Sequence, residues 1–161
     1  VRAGTPFLGI CLGHQLATVA LGGQVCTSDH FCLGAAEMHL TPEGKKDPLL
    51  SVYDGHRGIH FNNDVAVVLP EDAVLLARDP TGQIEAVRFA ERAWGVQFHP
   101  ECTPEIFDAW TIGHGEKEWQ QRLPWSEAVT VAETVRRDID TVNAEEAFAA
   151  RFQELIDPEK R

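Results

Sequence analysis

Residues 7–16, FLGICLGHQL, constrain this chain more tightly than any other stretch. The apolar run from Pro6 to Ile10 reads as a buried strand, and the spacing of apolar positions from His14 to Leu21 reads as a helix that Gly22-Gly23 stops. Between them, Gly9-x-Cys11-x-Gly13 allows only a sharp turn. Such a turn presents a thiol at the C-terminal edge of a sheet, among backbone N–H groups and the positive end of a helix dipole, surroundings that suit an anion. Glycine is expected on both sides of Cys11, where the strained backbone and close neighbours leave no room for a Cβ. Taken alone, the pattern fits a buried structural cysteine as well as it fits a nucleophile.

A polar stretch with one glycine follows, then a strand from Ala35 to Leu40 and a surface turn at Thr41-Pro42-Glu43-Gly44. Strands are expected at Ile59 to Phe61, Ala73 to Arg78 and Ile84 to Phe89, the last two joined as a hairpin through Asp79-Pro80-Thr81-Gly82. Trp94 to Phe98 forms another strand, which Pro100 prevents from continuing as a central ladder. Beyond Thr103 the period changes to that of amphipathic helices, over Thr103 to Trp110, Ser126 to Ile139 and Ala144 to Ile156. Ser126 and Asn143 are placed as caps, with Glu127, Glu145 and Glu146 in the first turns. Trp110, Trp119 and Trp125 lie in this tail as anchors for a core or an interface.

The strand ending GVQFHPE, Gly95 to Glu101, decides between the two readings of Cys11. It sets an imidazole and a carboxylate at the end of a separate strand, as a general base and its orienter stand in an open sheet. With GICLGHQ and GVQFHPE both present and in this order, the chain resembles a class I, triad-type glutamine amidotransferase domain. The likeness runs from about Phe7 to Glu101, and Thr103-Pro104-Glu105 extends it toward stand-alone members similar to the amidotransferase part of GMP synthase.

The resemblance implies that Cys11 is the nucleophile, His99 the general acid and base, and Glu101 the group that holds the His99 tautomer. It implies an oxyanion donor in the Leu12 backbone N–H and a contact with bound glutamine from Gln15. Cys11 would attack the side-chain amide of glutamine, His99 would protonate the departing ammonia, and water would release glutamate from a γ-glutamyl thioester. Ammonia would pass to an acceptor on a synthase domain or subunit. Where the family has His-Gly-Asp or His-Ser-Asp, this chain has Asn62-Asn63-Asp64. Asn63 and Asp64 are therefore expected to line the substrate site, on a turn whose left-handed backbone asparagine tolerates.

Family members also carry several strands and helices before the thiol, including a glycine-rich loop with a second oxyanion donor, whereas this sequence opens at Val1. Losing such a donor costs about a hundredfold in rate or more, so the chain by itself is expected to be a poor catalyst. Two rival readings stand beside glutamine amidotransfer: a γ-glutamyl peptide or polyamine hydrolase using the same triad, and a truncated remnant that binds without catalysis.

These elements and the resemblance predict an α/β fold, doubly wound on a mostly parallel sheet with an antiparallel addition and a helical C-terminal tail. Residues 1–110 form the amidotransferase domain and residues 111–161 a helical extension packed on it. At 161 residues and 43% hydrophobic, the chain is long enough for one such core. A net charge of -11, with no cluster of Lys and Arg, argues against nucleic acid as a partner. No apolar stretch reaches the roughly 20 residues that span a bilayer, and a cytoplasmic protein with reduced thiols is expected. No cofactor is implied. Cys26, His30 and Cys32 fit no standard zinc spacing, and His14, His30, His39, His56, His60 and His114 are read as structural, solvated or network histidines.

Overall fold

The computed structural model describes residues 1, 3–111, 124–139 and 144–157. Trp119, His114 and Asn143, singled out in the sequence, lie outside them. A five-stranded sheet of order β1-β7-β6-β5-β3 forms the centre, built from β1 (Phe7–Ile10), β3 (His39–Leu40), β5 (Val74–Arg78), β6 (Ile84–Ala90) and β7 (Ala93–Val96). Beside it β2 (Gln24–Glu37) and β4 (Arg57–Val68) pair as a long antiparallel ribbon. The helices are α1 (Leu12–Ala20), α2 (Pro104–Thr111), α3 (Trp125–Ile139) and α4 (Glu145–Ile156).

The α/β class and the mixed sheet agree with the sequence; the weighting toward parallel strands does not. Among the described residues only β1 and β7 run parallel, and the pairs β7–β6, β6–β5 and β5–β3 are antiparallel. The connections dictate this. Two residues, Glu91 and Arg92, join β6 to β7, and such a link can only reverse the chain, since a parallel crossover needs a dozen residues or more.

Both faces of the central sheet are covered, which is why its strands read as apolar runs rather than alternations. Phe7, Val87, Phe89 and Ala93 pack under α1 with Ala17. On the opposite face Leu8, Ile10, Leu76, Trp94 and Val96 meet Leu49, Leu50, Tyr53 and Phe148 of α4. A third cluster joins α2 and α3 to the ribbon through Ile59, Phe107, Val135 and Ile139. Trp94 is fully buried, and its indole N–H donates to Asp47 at 3.1 Å. Asp47, itself buried, also accepts from the Leu49 and Leu50 amides and pairs with Arg88, so the charge is compensated.

Three local expectations are corrected. The ribbon strand β2 starts at Gln24, eleven residues before Ala35, and is separated at Met38 from the two-residue β3. Its polar alternation reads as a loop because both faces of this ribbon segment stay half exposed. The turn at Thr41–Gly44 runs into a short 3-10 helix, Gly44–Lys46, with Gly44 buried. Finally, α3 begins at Trp125, which puts Ser126 inside the helix, and α4 starts from Ala144 without a side-chain cap. No helix among the described residues is long and apolar enough to cross a membrane.

Candidate active site

Cys11 stands directly after β1 and directly before α1. Its amide still donates to the Val96 carbonyl at 2.8 Å, continuing the parallel ladder, but its own φ of 46° and ψ of -103° break the strand. Cys11 is the one non-glycine residue at positive φ among those described. Such a conformation costs about 1–3 kcal/mol and persists where the surrounding structure enforces it. Here the enforcing contact is Gly9, where a Cβ would stand 2.6 Å from the Gly13 carbonyl carbon and 2.8 Å from His14 N. The first turn of α1 rests on the bare backbone of β1.

Gly13 departs from expectation: a Cβ there would meet nothing within 4 Å, so only one of the two flanking glycines is sterically required. Leu12 opens α1 with an exposed side chain, and its N–H belongs to the first helical turn, whose amides have no partner within the helix. His14 is fully buried, stacked on Phe89 at 5.9 Å, with neither ring nitrogen hydrogen-bonded among the described residues. Burial lowers it to about 4, so it is a neutral packing group above Gly95.

The second segment arrives beside the first because β7 is the parallel neighbour of β1, with Ile10 opposite Val96. Beyond β7 the His99 amide donates to the Ile59 carbonyl at 2.8 Å, which ties the segment to β4. His99 Nδ1 lies 2.7 Å from Glu101 Oε1, and the ring packs against Trp110 with centroids 4.5 Å apart. Nε2 is buried and makes no hydrogen bond among the described residues. Burial lowers the proton affinity of His99, while the Cys11 thiol and the Glu101 carboxylate raise it; the balance lifts the imidazole from 6.5 to about 9.

Gln15 and Gln97 are both buried and link the two segments. Gln15 Nε2 donates to the Asp64 carbonyl at 2.7 Å and to Gln97 Oε1 at 3.2 Å, and Gln97 Nε2 stands 3.5 Å from Cys11 Sγ. A cavity of about 230 Å³ opens here, lined by Cys11, Gln15, Phe31, Phe61, Asn62, Asn63 and Asp64. Asn63 and Asp64 line the same cavity as Cys11, and they do so from within the extended strand β4, with no left-handed turn. The cross-strand pairs Cys32↔Asn62 and Thr27↔Asp64 hold them in the ladder, and the irregular register between Thr27 and Cys32 brings Phe31 to the cavity. Thr27 Oγ1 donates to Asp64 Oδ1 at 2.7 Å.

In the sequence Asn62 stands only as the first residue of the Asn62-Asn63-Asp64 segment and Trp110 only as an anchor, and nothing there points to Phe31 or Phe61. Asn62 Oδ1 is a buried acceptor at the cavity wall without a partner among the described residues, while Nδ2 of the same side chain donates to the Asp64 carbonyl. Behind the site, buried His60 and Glu85 pair at 2.6 Å; burial opposes the charge on His60, and the hydrogen bond and charge of Glu85 raise its proton affinity. A larger cavity of about 600 Å³ lies elsewhere, lined by Arg88, Arg92, Trp94 and Glu154 and by none of the residues just described. No three His, Cys, Asp or Glu side chains gather as a metal site among the described residues. Cys26, Cys32 and Cys102 are free thiols, like Cys11.

The family described as Glutamine amidotransferase class-I matches residues 1–113. A glutamine-hydrolyzing GMP synthase of Marinobacter nauticus is 37% identical over 115 residues, covering 62% of this chain and 20% of that protein. A glutamine-hydrolyzing GMP synthase subunit of Methanothermobacter thermautotrophicus is 34% identical over 101 residues, covering 60% of this chain and 51% of the other. Among solved structures, a glutamine amidotransferase from Methylobacillus flagellatus shares the fold with a TM-score of 0.72 and 21% identity, over 94% of this chain and 64% of that one. The chain thus spans about half or less of the curated relatives cited here.

Proposed function

The chain belongs to the class-I glutamine amidotransferase family, and we propose that it hydrolyses the side-chain amide of glutamine with Cys11 as nucleophile, His99 as general acid and base, and Glu101 as the group that orients His99. The observation that carries this reading is the strained thiol at the end of β1, level with the paired His99 and Glu101 that follow β7. We assign the amidotransferase domain to residues 1–110 and a helical extension to 111–161.

In this mechanism the Cys11 sulfur attacks the amide carbon of glutamine bound in the cavity at Asn63 and Asp64. The new oxyanion faces the N-terminus of α1, where the Leu12 N–H has no acceptor within the helix. His99, held protonated at neutral pH, gives its proton to the leaving nitrogen, and ammonia departs. A γ-glutamyl thioester remains. Water, losing a proton to the now neutral His99, adds to the thioester carbon; the C–S bond breaks with its electron pair on sulfur, and glutamate leaves. Glu101 fixes the ring so that Nε2, not Nδ1, does this work.

One of the relatives is a GMP synthase subunit, which supports a division of labour in which a separate synthase subunit takes the ammonia. Four free thiols suit the reducing cytoplasm. The test is ammonia release from glutamine by the purified chain and by Cys11→Ala. Loss of release in the variant, with unchanged circular dichroism, is expected; retained release removes Cys11 as nucleophile. A preference for γ-glutamyl peptides over glutamine would move the assignment to a hydrolase with the same triad.

A further inference from the structure

The orientation of the side chains around Cys11 follows from one acceptor that cannot change its role. The Asp64 carbonyl oxygen only accepts, so the Gln15 carboxamide must turn its NH2 group toward it, at 2.7 Å. The same NH2 group reaches Gln97 at 3.2 Å, so Gln97 must present its carbonyl Oε1 there. The NH2 group of Gln97 is thereby turned the other way, and Nε2 stands 3.5 Å from Cys11 Sγ. Turning either amide over would set two NH2 groups or two oxygens face to face. Gln97 is wholly buried, and its backbone N–H is fixed on the Glu85 carbonyl at 2.8 Å, so the side chain has no freedom to leave.

We propose that Gln97 is a further catalytic residue: its carboxamide donates to the Cys11 sulfur and stabilises it as an anion, while Gln15 is the positioning residue that keeps the donor turned inward. The inference rests on Cys11 being the nucleophile. A carboxamide complements the imidazole because it does not titrate. His99 surrenders its proton when ammonia leaves; Gln97 keeps both of its hydrogens. When water later attacks the thioester and the electron pair of the C–S bond falls back on sulfur, this donor is still in place. Gln97 is buried although Cys11 is only half-buried, so water has little access to the donor itself. The assignment also accounts for a glutamine at a position whose neighbours are core residues, where a polar side chain is tolerated only if its groups are paired.

The test is the rate of Cys11 alkylation by iodoacetamide at pH 7 in the full chain, followed by mass spectrometry of the peptide carrying Cys11 so that the other three thiols do not count. Gln97→Met keeps the length and loses the donor; its alkylation rate is expected to fall about tenfold, as loss of a hydrogen bond to a charged group requires. Gln15→Met frees Gln97 to turn over and is expected to slow alkylation in the same direction by severalfold. A rate within twofold of the unsubstituted chain in folded Gln97→Met overturns the proposal, and so does a Cys11 that resists alkylation in the unsubstituted chain. Should Gln97→Met fail to fold, Gln15→Met decides: a fall supports the donor, and an unchanged rate overturns it. Because alkylation needs no glutamine turnover, the two readings fail separately: a donor-dependent rate in a chain that releases no ammonia upholds Gln97 as the donor to the Cys11 sulfur and removes its part in catalysis together with the functional reading.

Discussion

Alanine at Gly9 asks whether the start of α1 rests on the backbone of β1. The added Cβ would stand 2.6 Å from the Gly13 carbonyl carbon, 2.7 Å from its oxygen and 2.8 Å from His14 N. Carbon contacts are comfortable at about 3.5 Å and beyond, so the helix start must retreat by nearly 1 Å. The atoms in the way are backbone in the first turn of α1, not the tip of a flexible side chain. Overpacking costs about 1–3 kcal/mol, and a conflict with three backbone atoms belongs at the top of that range, about 3 kcal/mol. With a urea dependence of about 2 kcal/mol per M, the unfolding midpoint falls by about 1.5 M. The same substitution at Gly13 meets nothing within 4 Å and trades glycine for alanine inside a helix, so its midpoint holds or rises by up to about 0.5 M. Urea titrations of both variants and the unsubstituted chain, followed by tryptophan fluorescence, provide the comparison. Cys11 rides on the helix start, and a displacement of about 1 Å also costs about a hundredfold in turnover. A Gly9→Ala midpoint equal to that of the unsubstituted chain, or a loss at Gly13 as large as at Gly9, would refute the reasoning.

Two further outcomes follow from the titrating groups. His99 is raised to about 9 from 6.5, so the stability it gains from its neighbours is complete below about pH 6.5 and disappears as the pH climbs through 9. Melting curves from pH 6 to 10 should register a loss of about 2 kcal/mol, reduced by screening through the half-exposed Glu101, and Glu101→Gln should remove part of it, Cys11 supplying the rest; an unchanged alkaline loss in that variant contradicts the pairing. Glu85→Ala strands His60 in the interior and should cost about 3–5 kcal/mol, whereas Glu85→Gln, which keeps a hydrogen-bonding group there, should cost clearly less; equal urea midpoints for the two would argue against a charged pair.

The strand, turn and helix around Cys11 are legible because glycine, apolar spacing and a helix stop agree over a dozen residues. His99 and Glu101 are legible because they directly follow an apolar run that reads as a strand, although β7 itself stops at Val96, before Phe98 and Pro100. The direction of β6 relative to β7 could also be read, from the two-residue link at Glu91 and Arg92, and expecting a mostly parallel sheet with an antiparallel addition gives that link too little weight. The first part of β2 hides because a half-exposed ribbon carries polar residues at strand positions, so no apolar alternation announces it. The role of Gln97 hides for another reason. Its partners, Gln15 and Cys11, are 82 and 86 positions away, and only the folded chain shows that one carbonyl at Asp64 dictates which way two amides point. Trp110 resembles any aromatic residue on an amphipathic helix until its ring is seen against His99.

Because β1 and β7 are parallel neighbours in fixed register, the gap between sulfur and imidazole is measured out by two strands of four residues each, whose ends stand level. All the chain between them is a detour that leaves this sheet position and returns to it. One exposed point on it is the hairpin tip at Pro80, Thr81 and Gly82. Chain spliced in there lengthens the detour without entering the gap, which makes that tip the place to insert a fluorescent reporter or an affinity handle mid-chain while the chemistry proceeds undisturbed.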